Sequence, residues 1–366
     1  MRIRPDLREI PPYRPGRSIV DVAREWGLEV SDIIKLASNE CPLPPFPEVQ
    51  EAVAAAVGGI HRYPDNDAGE AREALAAHVG VEPDQIWVGA GSSELLRIMA
   101  LALGGPGTSA VYAWPSFVIY RLATTLAMSE PVEVPLDAEM VHDPEAMLAA
   151  LRDDTTIVYL CNPNNPTGTL LDAETVVSFV ERVPPDVLVV VDEAYHEYVT
   201  DDRHVSAVRL VEDHPNVVVA RTLSKIYGLA GLRVGYVVGQ AETVAELRRP
   251  QAPFSVNSLA QVAAVEAVRH PDRVEERREL NRRGREALER GLAELGVSYV
   301  PSQTNFVFFR PGPDTDLTAE RFLGHGVVIR GLSKGWVRVT VGSEEENRRF
   351  LQVLAAELDR LRRPSF

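Results

Sequence analysis

The chain reads as an α/β protein: a large region built on a mostly parallel sheet covered by helices, followed by a smaller α+β region. Three observations predict this. From about residue 40 to 270, short apolar runs rich in β-branched residues alternate with longer helical patterns, as buried parallel strands and their crossover helices do. After a long charged helical stretch from about Asp272 to Leu295, the rhythm changes to closely spaced short strands. The length of 366 residues, 45% of them hydrophobic, suffices for one large core and a smaller companion.

In chain order, residues 1–35 are rich in proline and charge, with an amphipathic stretch from Val20 to Trp26, and read as an arm that packs on something else. The large region, 36–270, predicts strands at Gln85–Val88, Ser109–Tyr112, Thr155–Cys161, Val187–Val191, Val217–Ala220 and Val234–Val238. Helices are expected between them, among others at Glu94–Leu103, Ala173–Val183 and Ser258–Arg269. In the small region, 271–366, the charged helix leads into strands at Ser298–Val300, Asn305–Phe309, Val327–Arg330 and Trp336–Val341. A last helix, Glu344–Arg362, closes it.

A net charge of −15 argues against general nucleic-acid binding, because phosphate backbones are repelled by such a surface. Cys41 and Cys161 are too few for a disulfide framework or a structural zinc site, and no metal is expected. The opening Met1-Arg2-Ile3-Arg4-Pro5 lacks the apolar core of a secretory signal, and no apolar run approaches the roughly 20 residues of a membrane span. A cytoplasmic protein working on small molecules is the expectation.

Polar groups gather where strands end. Ile86-Trp87-Val88 runs into Gly89-Ala90-Gly91-Ser92-Ser93-Glu94, Val158-Tyr159-Leu160-Cys161 into Asn162 through Gly168, and Val189-Val190-Val191 into Asp192-Glu193-Ala194-Tyr195. Ligands of open α/β sheets bind outside the carboxyl ends of strands, so these stretches converge on one crevice.

Lys225 stands out because lysine is rare here: only Lys35, Lys225 and Lys334 occur among 38 basic residues. Imine-forming chemistry needs an amine, since a guanidinium never deprotonates to attack a carbonyl. Its neighbours Thr222, Ser224 and Arg233 are the donors a phosphate needs, which together suggest pyridoxal phosphate. Such a cofactor requires a buried carboxylate at its ring nitrogen, and Asp192, after a run of apolar residues, suits that place; a turn or helix cap is the everyday use of an aspartate after a strand. Tyr195 and Asn165 are candidates for the ring oxygen, with core packing and a simple turn as their ordinary alternatives. Ser92 and Ser93 open a helix whose positive end favours a phosphate, although any helix can begin with serine as a cap, and Phe117 is a ring that can stack on the cofactor face or pack as an ordinary core aromatic. Arg330 and Arg338, on short strands of the small region, can bind an anionic substrate group by bidentate contacts, or stand as exposed strand arginines.

With these residues in place, the chain resembles the fold-type I pyridoxal-phosphate aminotransferases, and within them the histidinol-phosphate aminotransferase family. The resemblance runs through Tyr13-Arg14-Pro15-Gly16, Lys35 to Glu40, Arg62-Tyr63-Pro64-Asp65, Asn162 to Gly168, Asp192 to Tyr195 and Arg221 to Arg233. It implies a three-layer α/β/α large domain with a seven-stranded sheet, an α+β C-terminal domain, and a homodimer with sites at its interface. By motif, Lys225 becomes the residue that carries the cofactor and shuttles the proton, Asp192 the ring-nitrogen partner, and Tyr195 with Asn165 the ring-oxygen binders. Ser92, Ser93, Thr222, Ser224 and Arg233 receive the cofactor phosphate, with Tyr63 reaching in from the other subunit. Tyr13, Asn165, Arg330 and Arg338 hold the anionic end of the substrate. The implied reaction is a ping-pong exchange of an amino group between histidinol phosphate and 2-oxoglutarate. Aromatic amino acid aminotransferases are close relatives that share every motif, and a pyridoxal-dependent decarboxylase of amino-acid phosphates is a more remote one. Discrimination falls to pocket walls, for which Trp114, Phe254 and Val256-Asn257-Ser258 are the candidates.

Overall fold

The computed structural model describes residues 4, 7–8, 17–311, 319–332 and 335–362. Its strands in chain order are β1 (Ile34–Lys35), β2 (Ile86–Gly89), β3 (Ser109–Trp114), β4 (Glu130–Pro135), β5 (Thr155–Cys161), β6 (Leu188–Asp192), β7 (Val217–Thr222), β8 (Gly235–Val238), β9 (Ser298–Val300), β10 (Phe306–Arg310), β11 (Val327–Val328), β12 (Arg330–Gly331) and β13 (Val337–Thr340).

Seven strands form the large sheet in the order β2-β8-β7-β6-β5-β3-β4. All neighbours are parallel except those of β8, which runs antiparallel to both β2 and β7. Side chains alternate between two buried faces, as the period of a strand demands. Val158, Leu160, Val189, Val191, Val217 and Val219 join one core with Leu75, Phe179 and Ala260, from helices Gly69–Val79, Ala173–Arg182 and Ser258–Ala267. Tyr159, Val190, Val218 and Ala220 join the other with Leu95, Met99, Tyr120 and Leu247, from helices Ser92–Leu103, Ile119–Leu126 and Ala241–Leu247. The result is the three-layer α/β/α arrangement.

The strand β4 was not expected from its sequence, Glu-Pro-Val-Glu-Val-Pro, because prolines weaken a strand reading. It occupies the sheet edge, where Pro131 and Pro135 cost no ladder bond on the open side.

The C-terminal body holds the antiparallel sheet β12-β13-β10-β9. Its core joins Phe309, Val337 and Val339 to Leu288 and Leu292 of the helix Pro271–Glu294 and to Phe350 and Leu354 of the helix Glu344–Arg362. The stretch Val327–Arg330, expected as one strand, divides at the buried Ile329: β11 pairs with β1, and β12 pairs with β13. Residues far apart in sequence are thereby joined. The helix Ile19–Trp26, capped by Ser18 and ended by Gly27 at φ 65°, buries Val22 and Ala23 against Ile33, Ala37, Leu323 and Val328.

Behind the large sheet's carboxyl edge, Glu193 and Arg221 form a buried ion pair at 2.8 Å. Glu193 also accepts from the backbone N–H of Ala207 and the hydroxyl of Ser206, and Arg221 donates to that hydroxyl as well. His196 and His204 lie beside them, their ring nitrogens 2.8 Å apart. Three such residues can hold a cation in principle, but both Glu193 oxygens are already engaged by protein donors. The cluster is therefore a structural network. Arg221→Met, which strands the buried Glu193 charge, is expected to destabilise the chain by about 3–5 kcal/mol in urea unfolding, and the added change Glu193→Gln to recover part of that loss. Equal stability of Arg221→Met and the unsubstituted chain would contradict a buried charge pair.

Candidate active site

Because the parallel strands all point one way, the ends of β2, β3, β5, β6 and β7 open onto one side. The antiparallel β8 brings its beginning, and with it Arg233, to the same side. Together with the segment Ala37–Glu40 and the C-terminal body, these ends enclose a cavity of about 370 Å³.

At one end of the cavity lies an anion cradle. The helix Ser92–Leu103 starts there, and the leading amides of a helix have no partner within it. Gly91, at φ 83°, has no side chain to give: a Cβ would meet Arg233 Nη2 at 2.6 Å. A Cβ on Gly235 would meet the amide nitrogen of Ser92 at 2.6 Å. The two bare α-carbons let the guanidinium lie against the helix start. Arg233 donates to Ser224 Oγ at 3.3 Å, and Ser92, Ser93, Thr222 and Ser224 all line the space around it.

Deeper in the cavity, Asp192 ends β6 and is 1% exposed. Tyr120 donates its hydroxyl to Oδ2 at 2.8 Å, and the Ala194 N–H donates to Oδ1 at 3.1 Å. Burial pushes this carboxyl up to about 6, against the pull of those two donors. Lys225 follows β7, its Nζ 3.5 Å from the carbonyl oxygen of Ser38 and 5.8 Å from the centre of the Tyr195 ring. Burial, reinforced by the nearby Arg338 charge, lowers its amine to about 8. A neutral amine is thus accessible near neutral pH, which is the condition for nucleophilic and proton-transfer work. Burial holds the Tyr195 phenol far above its ordinary range, so it stays protonated.

The loop after β5 is shaped by its own amides. Asn162 exchanges hydrogen bonds with the backbone of Leu171, and Asn164 accepts from Ser116 Oγ and donates to Thr167 Oγ1. Asn165 is left to face the cavity, where Arg338 Nη1 donates to its Oδ1 at 2.5 Å. Arg338 Nη2 donates to the carbonyl of Ala37 at 3.0 Å. Phe117 and Arg330 also line the cavity.

Of the residues singled out in the sequence, Ser92, Ser93, Phe117, Asn165, Asp192, Tyr195, Thr222, Ser224, Lys225, Arg233, Arg330 and Arg338 meet in this one space. Tyr63 stands apart: it is 82% exposed and stacks on Phe254 at 4.7 Å, away from its own chain's cavity. Tyr13 lies outside the described residues. The expected walls are corrected. Trp114 sits under the Arg121 guanidinium, Val256 is in the core, and Asn257 caps the helix that Ser258 begins. Glu40, Ser116, Val118 and Leu332 line the cavity instead. Sequence reasoning also gave no role to Tyr120 or Asn39, whose signal is their contact with Asp192 and Tyr195 rather than any local motif.

The lining thus carries four cationic side chains against two carboxylates, in a chain of net charge −15, so anions are drawn to this place. A half-buried amine of lowered basicity, a buried carboxylate and a cluster of anion donors on a mostly parallel sheet define an enzyme that works on small carbonyl or amino compounds. The profile of the aminotransferase class I and II family matches residues 31–354, and the chain belongs to that family. It is 45% identical over 357 residues to histidinol-phosphate aminotransferase 1 of Dechloromonas aromatica, covering 96% of this chain and 97% of that one. It is 41% identical over 349 residues to an aromatic amino acid aminotransferase of Cutibacterium acnes, covering 95% and 96%. Among solved structures, histidinol-phosphate aminotransferase from Sinorhizobium meliloti in complex with pyridoxal-5'-phosphate superposes with a TM-score of 0.89 at 28% identity over 98% of both chains.

The burial of Asp192 has a measurable sign. Its folded value, about 6, lies above the unfolded value near 3.8, so the folded chain holds an extra proton between them. The contribution of Asp192 to stability is fully present below about pH 4 and is lost as pH rises through about 6, by roughly 3 kcal/mol. Asp192→Asn keeps an acceptor for Tyr120 but turns its amide NH2 toward the Ala194 N–H, at a cost that does not vary with pH; relative to the unsubstituted chain, the cofactor-free variant is expected to gain about 2–3 kcal/mol between pH 4 and pH 8. A stability difference that stays the same at pH 4 and pH 8 in chemical denaturation would show that the charge is not a burden on the fold.

Proposed function

We propose that the chain transfers an amino group between L-histidinol phosphate and 2-oxoglutarate, with pyridoxal 5'-phosphate as its cofactor. One observation carries this reading: the amine of Lys225, lowered by burial, shares a single cavity with the buried Asp192 carboxylate and the cradle at Arg233. The close relatives bearing the histidinol-phosphate name support the substrate.

The residues fit the cofactor. The start of the helix Ser92–Leu103, with the Arg233 guanidinium drawn up beside it, suits a phosphate, which Ser92, Ser93, Thr222, Ser224 and Arg233 would hold. Asp192 would keep the ring nitrogen protonated, Tyr195 and Asn165 would meet the ring oxygen, and Phe117 would cover the ring face. Bound there, pyridoxal phosphate supplies a carbonyl that accepts the amino group and a ring that draws off electrons. Lys225 Nζ would anchor it and, when its amine is free, would hold and move the proton at the substrate's reacting carbon. Arg338 and Arg330, joined by Tyr13, would bind the anionic end of either substrate in turn, which is what a ping-pong exchange asks of one site.

A homodimer belongs to the same reading. The stacked pair Tyr63 and Phe254 is presented outward, where Tyr63 can complete the partner's phosphate cradle. The cytoplasm is its expected location; among the described residues no helix is long and apolar enough to cross a membrane. A second reading, an aromatic amino acid aminotransferase, rests on the Cutibacterium acnes relative. Both substrate types combine a flat ring with an anion, so Glu40, Ser116, Val118 and Leu332 are the side chains proposed to choose between them.

The test is a half-reaction. Cofactor-loaded protein is mixed separately with histidinol phosphate and with phenylalanine, and conversion to the pyridoxamine form is followed by absorbance. A kcat/KM far larger for histidinol phosphate is expected; preference for phenylalanine selects the second reading. Lys225→Ala should lose borohydride-fixed cofactor altogether, and cofactor retained on that variant would move the attachment elsewhere. Arg338→Ala should lower kcat/KM for donor and acceptor alike by roughly a hundredfold, as loss of a hydrogen-bonded charge partner does. An effect on one substrate alone would refute the shared anion site.

A further inference from the structure

Asn39 is buried, 2% exposed, and lies between β1 and the first helix of the large body with φ at 55°. That left-handed conformation is the natural place for a glycine, and asparagine tolerates it at a modest strain. Residues held in sparsely populated backbone regions gather at functional sites when the surroundings over-determine them. Six described non-glycine residues have positive φ, and Asn39 and Arg233 are the two of them that line the cavity.

The surroundings of Asn39 account for its persistence. Its backbone N–H donates to Thr340 Oγ1 at 2.9 Å, and its carbonyl accepts from Asn305 Nδ2 at 3.0 Å. Its side-chain Oδ1 accepts from the Thr340 hydroxyl at 3.3 Å, which fixes the amide so that Nδ2 faces the other way. Nδ2 then donates to the Tyr195 hydroxyl oxygen at 2.8 Å. A glycine would satisfy the backbone with less strain; only the side chain supplies the last contact.

That contact decides the direction of the tyrosine's own hydrogen. A protonated phenol whose oxygen already accepts an N–H turns its O–H away from that donor, here toward the cavity that Tyr195 lines. The same short segment also receives Arg338 at Ala37 O and Lys225 at Ser38 O. Thr340, which orients Asn39, lies two residues beyond Arg338 on β13. The tyrosine is therefore set in register with both the anion-binding arginine and the amine.

We propose that Asn39 is a positioning residue that fixes the polarity of the Tyr195 hydroxyl, making it a donor toward the ring oxygen of the cofactor. The inference rests on the pyridoxal-phosphate reading and assigns Asn39 no direct chemistry. Two substitutions separate this role from a structural one. Asn39→Gly relieves the backbone and deletes the contact; Asn39→Asp keeps size and backbone tolerance but turns the donor into an acceptor, so that Tyr195 donates to the carboxylate and points its lone pair at the ring oxygen.

The experiment measures chemical unfolding of the cofactor-free proteins, and equilibrium binding of pyridoxal 5'-phosphate and of its 3-deoxy analogue, which lacks the ring oxygen. Asn39→Gly should be as stable as the unsubstituted chain or more so, bind pyridoxal phosphate about tenfold more weakly, and bind the 3-deoxy analogue within about twofold of the unsubstituted chain. Asn39→Asp should lose more affinity for pyridoxal phosphate than Asn39→Gly while again sparing the analogue. Equal losses for both ligands, or no loss for either, overturn the proposal. If the unsubstituted protein binds neither ligand, the cofactor reading itself fails and the proposal falls with it, an outcome distinct from a silent substitution.

Discussion

A mostly parallel sheet sends the carboxyl ends of its strands to a single edge, and the chemistry of this chain depends on that geometry. Backbone groups at that edge are no longer paired in the ladder, the strands behind it are rigid and dry, and side chains from distant sequence positions are forced to face one another. Asp192 is held at the end of β6 with its carboxylate out of water, and Lys225 stands half-buried just after β7, its amine lowered mainly by desolvation. Burial drives the two in opposite senses along the pH scale, the acid up and the amine down, so both sit nearer neutrality than either would in water. Each group can therefore change its protonation within a short span of neutral pH.

The exception within the sheet matters as much as the rule. If β8 ran parallel to its neighbours, Arg233 would sit at the opposite edge, far from the helix that starts at Ser92. Running antiparallel, it brings the guanidinium beside that helix's positive end, and the bare α-carbons at Gly91 and Gly235 let Arg233 and β8 come up against the helix start.

The C-terminal body contributes through a narrow strap. Ala37, Ser38 and Asn39 touch Arg338, Lys225 and Tyr195 respectively, and β1 just before them pairs with β11 of the C-terminal body. Arg338 and the amine of Lys225 are thus referenced to one stretch of backbone, although their neighbours Val337 and Val339, and Leu223 and Ile226, belong to separate cores. Small shifts of the C-terminal body would be felt at Tyr195 through Thr340 and Asn39.

Much of this was legible in the sequence for identifiable reasons. Val189-Val190-Val191 followed by Asp192 announces a buried strand ending in a carboxylate, and a lone lysine amid hydroxyls and glycines announces Lys225, because strand period and residue chemistry are local properties. The last helix, Glu344–Arg362, was legible for the same reason. What escaped is non-local. The edge strand β4 carries prolines that only an edge position excuses. Trp114 and Val256 looked like cavity walls but turn to a neighbouring arginine and to the core. Asn39 and Tyr120 gain their meaning from partners 156 and 72 residues away. The sequence by itself determined the periods of apolar residues, and so the layers, and it determined which chemical groups stand at strand ends. The tertiary structure alone decided which of those groups meet, because β8's direction and the strap's pairing with β11 are fixed by packing across the whole chain rather than by any neighbouring residue.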